Sequence, residues 1–208
     1  MKSPWISGLR SVSLTVPDLA AAETFYTQTW GLIVADRSWG TIYFRGSGND
    51  HHLLALHEAA GTPQLRLVTL RARSAAALDL VAQAAVLAGG TVERRGAASD
   101  PAGGTVVVIC DPDGRRIEVV YGDAQRANDA PVPKDQPIRL AHAVLNSHAV
   151  EASRVFFEKA LGFVLADRTR IMAFMNCDND HHTIALGDTD NDALNHVAFL
   201  MPSLDAVM

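Results

Sequence analysis

The sequence of 208 residues lacks the features that would assign it to several large classes of protein. Its two cysteines, Cys110 and Cys177, are too few for a disulfide framework and have no metal-site spacing, so we expect buried thiols. There is no run of basic residues, and a formal net charge of −5 disfavours nucleic acid as a partner. P-loop, dinucleotide-binding glycine and nucleophile-elbow motifs are missing as well, which excludes the enzyme classes built on them.

Long apolar runs are missing too. Apolar stretches such as 106–110 have the length of one strand, far short of the ~20 residues of a membrane-spanning helix. Residues 1–10 do not contain the apolar stretch of a signal peptide. We therefore expect a cytoplasmic protein without a membrane partner.

The chain does contain an internal repeat. Its copies lie about 130 residues apart, and in the most similar block six of eight positions are identical. Three blocks recur in the same order: 9–14 with 140–145, 31–37 with 162–168, and 49–56 with 179–186. Because chance does not readily give three aligned blocks in one order, both copies should have the same fold.

Each copy has the pattern of one strand, one amphipathic helix and three further strands. Asp18 is suited to cap the first helix, and Gly31 and Gly162 are suited to end the two helices. A further unit follows the first copy, with Ser74 as the cap of a helix at 75–88. Strands are predicted at 9–16, 32–37, 41–45, 52–57, 65–72, 91–95, 104–110, 115–121, 139–146, 163–168, 171–175 and 182–186.

This pattern predicts an α+β protein built of tandem βαβββ modules. Residues 1–121 form a complete first domain of two modules, and 122–137, rich in Pro, Asp and Ala, form a linker. Residues 138–208 begin a second domain, with one full module and the start of a fourth at Leu194. About three strands of that fourth module are missing, so we expect a C-terminally truncated domain with an exposed sheet edge.

The paired βαβββ modules, the tight turn at 111–114 followed by Glu118, and two histidine-bearing strands resemble the vicinal-oxygen-chelate superfamily. That superfamily includes glyoxalase I, bleomycin-resistance proteins and extradiol dioxygenases. Four modules in two domains most resemble a type I extradiol dioxygenase. The resemblance implies Fe(II) in the C-terminal domain, O2 as co-substrate, and an N-terminal domain without a metal site.

The same resemblance implies the metal ligands. His142 and His196, on the first strands of modules three and four, match two ligands of a facial set of two histidines and one carboxylate. Ser11 and Leu67 stand at the matching positions of the first domain. The third ligand, a Glu, is expected beyond Met208, and Mn(II) would suit the set as well as Fe(II).

Other site residues follow from the resemblance. His182 matches the acid–base histidine, while His181 is expected on the opposite strand face and is assigned, with Val144 and Phe174, to the substrate pocket. Core packing is the alternative for Val144 and Phe174. The first copy carries the same histidine pair at 51–52 without expected chemistry, so a structural role for the motif stays open.

The predicted function is extradiol cleavage of a catechol-type aromatic by O2 and non-haem Fe(II), with little or no activity in the 208-residue form. The alternative is a non-enzymatic small-molecule-binding protein, similar to the bleomycin-resistance proteins. A homo-oligomer is expected in either case.

Overall fold

The computed structural model describes residues 2–127 and 134–207, so part of the expected linker, 128–133, lies outside the described residues. The described chain forms two sheets. The first contains β1 Ile6–Val16, β2 Ile33–Ser38, β3 Thr41–Arg45, β4 Leu54–Glu58, β5 Gln64–Ala72, β6 Thr91–Ala97, β7 Thr105–Cys110 and β8 Arg116–Tyr121. The second contains β9 Arg139–Ser147, β10 Val164–Arg168, β11 Met172–Asn176, β12 Ile184–Asp188 and β13 Leu194–Leu200.

The first sheet has the strand order β2-β3-β4-β1-β5-β8-β7-β6. Its two central strands, β1 and β5, are antiparallel, and each pairs in parallel with the last strand of its own module, β4 or β8. The two modules are therefore joined through their first strands. This arrangement places side chains from both first strands in one cavity.

The second sheet repeats this plan in the order β10-β11-β12-β9-β13. Strand β9 pairs in parallel with β12 and antiparallel with β13, as β1 does with β4 and β5. The α+β architecture of βαβββ modules is thus confirmed. After β13, Leu204–Ala206 form one 3₁₀ turn.

Local sequence favours the start of the first two helices and the end of the third, whereas the third begins after Ala149 without a capping side chain and the first ends at Gln28, before Gly31. The Asp18 carboxylate accepts a hydrogen bond from the Ala21 amide at 2.9 Å and caps α1, Leu19–Gln28. Ser74 caps α2, Ala75–Leu87, and Gly162, at φ 66°, ends α3, Val150–Leu161. Helices α2 and α3 pack against each other and bury apolar side chains, whereas α1 has no fully buried residue.

One apolar core joins the two sheets. The loop after β3 lies against the chain that enters β9: the Ser47 and Gly48 amides donate to the Pro137 and Ile138 carbonyls at 2.9 and 3.0 Å. A Cβ atom at Gly46 would collide with the Pro137 carbonyl, so this close approach requires glycine. The sheets are consequently held together by backbone contacts as well as by packing.

The described parts of the expected linker are packed against the first sheet. The Asp123 side chain is buried, and the Arg126 amide donates to the Asn49 carbonyl at 2.8 Å. The Gln136 amide nitrogen donates to the Gly31 carbonyl at 3.0 Å. Both described ends of the segment are therefore held against the part of the chain that forms the first sheet. No helix in the described parts of the chain is long and apolar enough to cross a membrane.

Candidate functional site

Three imidazole rings meet on one face of the second sheet. His142 lies on β9 and His196 on the adjacent strand β13, with ring centroids 5.6 Å apart and ring planes at 73°. His182 comes from the turn before β12, and its ring centroid is 4.3 Å from that of His142. The structure thus brings together all three histidines that the sequence singled out for metal binding and proton transfer.

Register shifts in the β9–β13 pair aim these side chains. Between Leu194 and His196, strand β13 contains one extra residue relative to β9, and between Leu140 and His142, β9 contains one extra residue relative to β13. Such bulges bend a strand and re-aim the neighbouring side chains. Between the two bulges His196 pairs with Val144 and His142 with Ala198, so the two histidines are diagonal neighbours on the same face.

An apolar row borders the histidines. Phe174 pairs with Ala185, Ala185 with Val144, and Val144 with His196 across four neighbouring strands. The Phe174 ring centroid is 4.9 Å from that of His182. Val144 is 3% exposed, whereas Phe174 is only partly buried. The histidines thus adjoin both a buried apolar side chain and a partly exposed phenyl ring, groups that an aromatic ligand can contact.

His181 lies beside His182 rather than across the sheet from it. Strand β12 begins at Ile184, two residues later than predicted, so the alternation of strand side chains does not apply to the pair. The two Nδ1 atoms are 3.1 Å apart, and the Phe174 ring lies near both imidazoles. His181 is exposed and His182 is half-buried, so the pair runs from solvent into the site.

Burial sets the charge of the site. It lowers the pKa of His142 to about 4, with the neighbouring His182 and His196 adding to the effect. Burial also lowers the pKa of His182, while the Asp180 carboxylate opposes the shift. Asp180 is itself paired with Arg139 at 2.8 Å. At neutral pH, His142 and His182 are consequently uncharged and offer lone pairs.

The described residues form one cluster of metal-competent side chains away from these histidines. This cluster contains Asp113, His148 and Asp192, whose possible ligand atoms all lie within 4.8 Å of one another. Arg115 already pairs with both aspartates at 2.8 Å, and His148 Nδ1 contacts Asp192 at 2.6 Å. The Arg115 guanidinium therefore supplies the positive charge of this cluster.

Sequence reasoning missed the role of Arg115. Arg115 is 5% exposed and belongs to the turn between β7 and β8. Its guanidinium reaches the second sheet, where it donates to the Asn146 carbonyl and the Ser153 hydroxyl at 2.8 and 3.2 Å. No local pattern in the sequence marks such a contact, because its partners are distant along the chain.

The first sheet has a cavity of about 110 Å³ at the matching place, lined by His52, Thr69, Asp100 and Glu118 among others. Glu118 lies on the strand predicted at 115–121, after the tight turn at 111–114. In the structure Glu118 is 4% exposed, accepts a hydrogen bond from the Thr69 hydroxyl at 3.2 Å, and has a pKa raised by burial. The cavity is closed inside by Arg10, which is 1% exposed.

Sequence comparison relates this chain to one protein superfamily. The sequence model of the Glyoxalase/Bleomycin resistance protein/Dioxygenase superfamily matches residues 8–119 and 139–208. Biphenyl-2,3-diol 1,2-dioxygenase of Pseudomonas sp. (strain KKS102) is 26% identical over 201 residues, which cover 87% of this chain and 67% of that enzyme.

Two solved structures show how far the likeness extends. The Mn(II)-bound glyoxalase from Novosphingobium aromaticivorans superimposes with a TM-score of 0.91 at 29% identity, over 97% of this chain and 68% of the other. A variant of homoprotocatechuate 2,3-dioxygenase from Brevibacterium fuscum gives a TM-score of 0.88 at 24% identity, over 99% of this chain. The chain spans 60% of the length of that dioxygenase, and this likeness shows the fold alone.

Proposed function

Since the chain belongs to the Glyoxalase/Bleomycin resistance protein/Dioxygenase superfamily, we propose that it forms part of an extradiol dioxygenase. Such an enzyme cleaves a catechol-type aromatic ring with O2 and non-haem Fe(II). The observation that carries the proposal is the meeting of His142, His182 and His196 beside an apolar row. The similarity to biphenyl-2,3-diol 1,2-dioxygenase supports the substrate class.

In this proposal His142 and His196 hold the metal. Their rings approach from neighbouring strands at 73°, and His142 is neutral at physiological pH, as a ligand must be. The donor set therefore fits two positions of a facial site of two histidines and one carboxylate, with the carboxylate supplied beyond Met208. A bound Fe(II) would supply the chemistry with O2 that ring cleavage needs, and Mn(II) would suit the same ligands.

In this proposal His182 transfers protons as a general acid and base. Its ring lies 4.3 Å from that of His142, close enough to meet a substrate hydroxyl beside the metal, and its lowered pKa leaves it neutral and able to accept a proton. His181 is exposed and its Nδ1 atom is 3.1 Å from that of His182. The pair thus forms a route by which His182 exchanges its proton with solvent.

Phe174 and Val144 position the aromatic ring of the substrate. Phe174 lies 4.9 Å from His182, so a planar ligand held there would contact the phenyl ring and the imidazole together. Val144 closes the floor opposite His196 and excludes water from that side. These contacts orient the ring without adding charge.

A metal-dependent glyoxalase is the second candidate, favoured by the 0.91 TM-score to the Mn(II)-bound enzyme. Both candidates need a metal at His142 and His196, and they differ in whether O2 is consumed. A non-enzymatic binding protein would need neither metal nor O2. Catechol-dependent oxygen uptake, a glyoxalase assay and metal binding therefore separate the three possibilities.

The first experiment is an anaerobic Fe(II) titration of the purified chain, with iron counted per chain. We expect one Fe(II), and we expect His142→Ala and His196→Ala each to weaken binding at least about 10-fold, since each removes a ligand. The matched control is His148→Ala, which removes an exposed histidine from the Asp113 and Asp192 cluster.

The outcomes are distinct. Loss of iron in the His142 and His196 variants alone, followed by oxygen uptake with biphenyl-2,3-diol in the protein extended beyond Met208, supports the dioxygenase. Loss of iron in the His148 variant alone would move the metal to the other cluster. Equal binding by all variants would exclude the proposed site.

A further inference from the structure

The bulged residue of β13 contacts a proposed metal ligand. Asn195 is the extra residue between Leu194 and His196, and its Oδ1 atom lies 2.9 Å from Nδ1 of His196. Neighbouring side chains of a regular strand point to opposite faces, and the bulge brings these two together. Contact between them is therefore a consequence of the register shift.

We propose that Asn195 is a positioning residue that accepts a hydrogen bond from Nδ1–H of His196. This holds the imidazole in the tautomer whose Nε2 lone pair is free to bind the metal. The inference rests on the proposed function for the identity of the ligand at Nε2, while the hydrogen bond itself requires no metal. It assigns Asn195 a role that its position in the sequence does not indicate.

The direction of the hydrogen bond follows from the other end of the amide. The Asn195 Nδ2 atom donates to Oδ1 of Asn146 at 2.9 Å, so its oxygen faces His196. A carbonyl oxygen only accepts, hence Nδ1 of His196 must carry the proton. Partners of this kind fix the tautomer and the ring orientation of metal-ligating histidines.

Asn146 is held firmly from several sides. It is 8% exposed, and its Nδ2 atom donates to Oδ1 of Asn191 at 2.8 Å. Its backbone amide donates to the Ala193 carbonyl at 2.7 Å, and its own carbonyl accepts from Arg115 at 2.8 Å. A group of the first sheet is thus connected, through Asn146 and Asn195, to the orientation of His196.

The first sheet indicates that this chain of amides is not required by the fold. Arg66 is the bulged residue at the matching position of β5 and precedes Leu67, which replaces the histidine. Thr15 stands at the position of Asn146, and its hydroxyl accepts from the Gln64 amide at 3.2 Å. The same bulge forms there without an amide pair. The amide pair of Asn195 and Asn146 is therefore present where a histidine follows the bulge, and it is absent in the first sheet, where Leu67 takes the place of the histidine.

The test is the tautomer of His196, read by long-range ¹H–¹⁵N correlation on the ¹⁵N-histidine-labelled, metal-free chain at about pH 8.5, where free imidazole is neutral. The His196 signals are assigned by their loss in His196→Gln. We expect Nδ1–H in the wild-type chain and a shift to Nε2–H, the form that free histidine favours, in Asn195→Leu. Asn195→Asp keeps an acceptor and should keep Nδ1–H.

The control is Gln83→Ala, which removes an exposed amide of helix α2 and should leave the tautomer unchanged. Mn(II) affinity of the same proteins should fall about 10-fold or more in Asn195→Leu and recover in Asn195→Asp. Nε2–H in the wild-type chain, or Nδ1–H retained in Asn195→Leu, would overturn the inference. Nδ1–H without any metal binding would instead count against the proposed function alone.

Discussion

The two sheets contain the same bulges at matching positions, but different side chains occupy them. In the first sheet the extra residue of β1 is Arg10, whose guanidinium is 2.8 Å from Nε2 of His52. In the second sheet the extra residue of β9 is Ala141, and no side chain of that size separates His142 from His182. The same backbone arrangement therefore surrounds a buried network of ion pairs in the first sheet and a group of imidazole rings in the second sheet.

The closed network satisfies its own charges. Arg10 pairs with Asp100 at 3.1 Å and with Asp123 at 3.4 Å, and Asp123 also pairs with Arg71 at 2.7 Å. Burial, together with the nearby Arg10 charge, lowers the pKa of His52 to about 2. The first sheet therefore has an internal cation at the place where, in our proposal, the second sheet binds a metal ion.

The largest expected effect on stability comes from removing Arg10 from its buried network of ion pairs. Arg10→Ala leaves Asp100 without its cation and removes one of the two cations that face Asp123, and we expect it to lower the free energy of unfolding by about 3–5 kcal/mol. Urea denaturation followed by circular dichroism measures the change. Arg37→Ala, which breaks an exposed pair with Glu23, is the control and should leave the urea midpoint unchanged. Similar midpoints for both variants would contradict the importance of the network.

The next largest effect concerns the contact between the sheets. Arg115→Ala should lower the free energy of unfolding by about 2–3 kcal/mol, because its buried charge-assisted hydrogen bonds are lost. The expected effect is smaller than for Arg10→Ala, because the aspartates keep other partners. Asp111 still accepts hydrogen bonds from the backbone amides of residues 113 and 115, and Asp192 still contacts His148.

The adjacent residue offers the matched control for this second prediction. Arg116 pairs with Glu93 at the surface, both side chains being more than a third exposed, so Arg116→Ala should cost less than about 1 kcal/mol. The same urea series compares the two variants. A cost for Arg116→Ala equal to that for Arg115→Ala would show that the inter-sheet network contributes nothing beyond a surface pair.

The smallest effect is the pH dependence contributed by His52. Its pKa is about 2 in the folded chain, against an ordinary value of 6.5, so below pH 6.5 the unfolded chain binds a proton that the folded chain does not. Stability therefore falls as the pH falls through this range. In His52→Gln the loss of unfolding free energy between pH 6 and pH 5 should shrink by about 1.2 kcal/mol.

Urea denaturation at several pH values checks this dependence. Above pH 7 the curves for the wild-type chain and His52→Gln should run parallel, because neither state of His52 then gains a proton. Parallel curves at lower pH as well would mean that His52 is not held neutral by Arg10 and burial. The first cavity would then be more open than its contacts indicate.

Much of the fold could be predicted from local sequence, and the site only in part. The repeat, the caps at Asp18 and Ser74 and the glycine at 162 each act through neighbouring residues, and the structure has them as predicted. The strand start at β12 was placed two residues early, because the histidine pair was counted as strand. The buried state of Glu118 was missed, since alternation tells the face of a residue but not what covers that face.

The sequence by itself determined the modules and which strands carry His142 and His196, because the period of apolar residues and the repeat are properties of consecutive positions. Only the tertiary structure decided what surrounds them. Register shifts turned Asn195 toward His196 and Arg10 toward His52, and the packing of two sheets brought Arg115 to Asn146. Those contacts join residues from separate elements, and their free energy depends on the geometry between elements, which no local pattern contains.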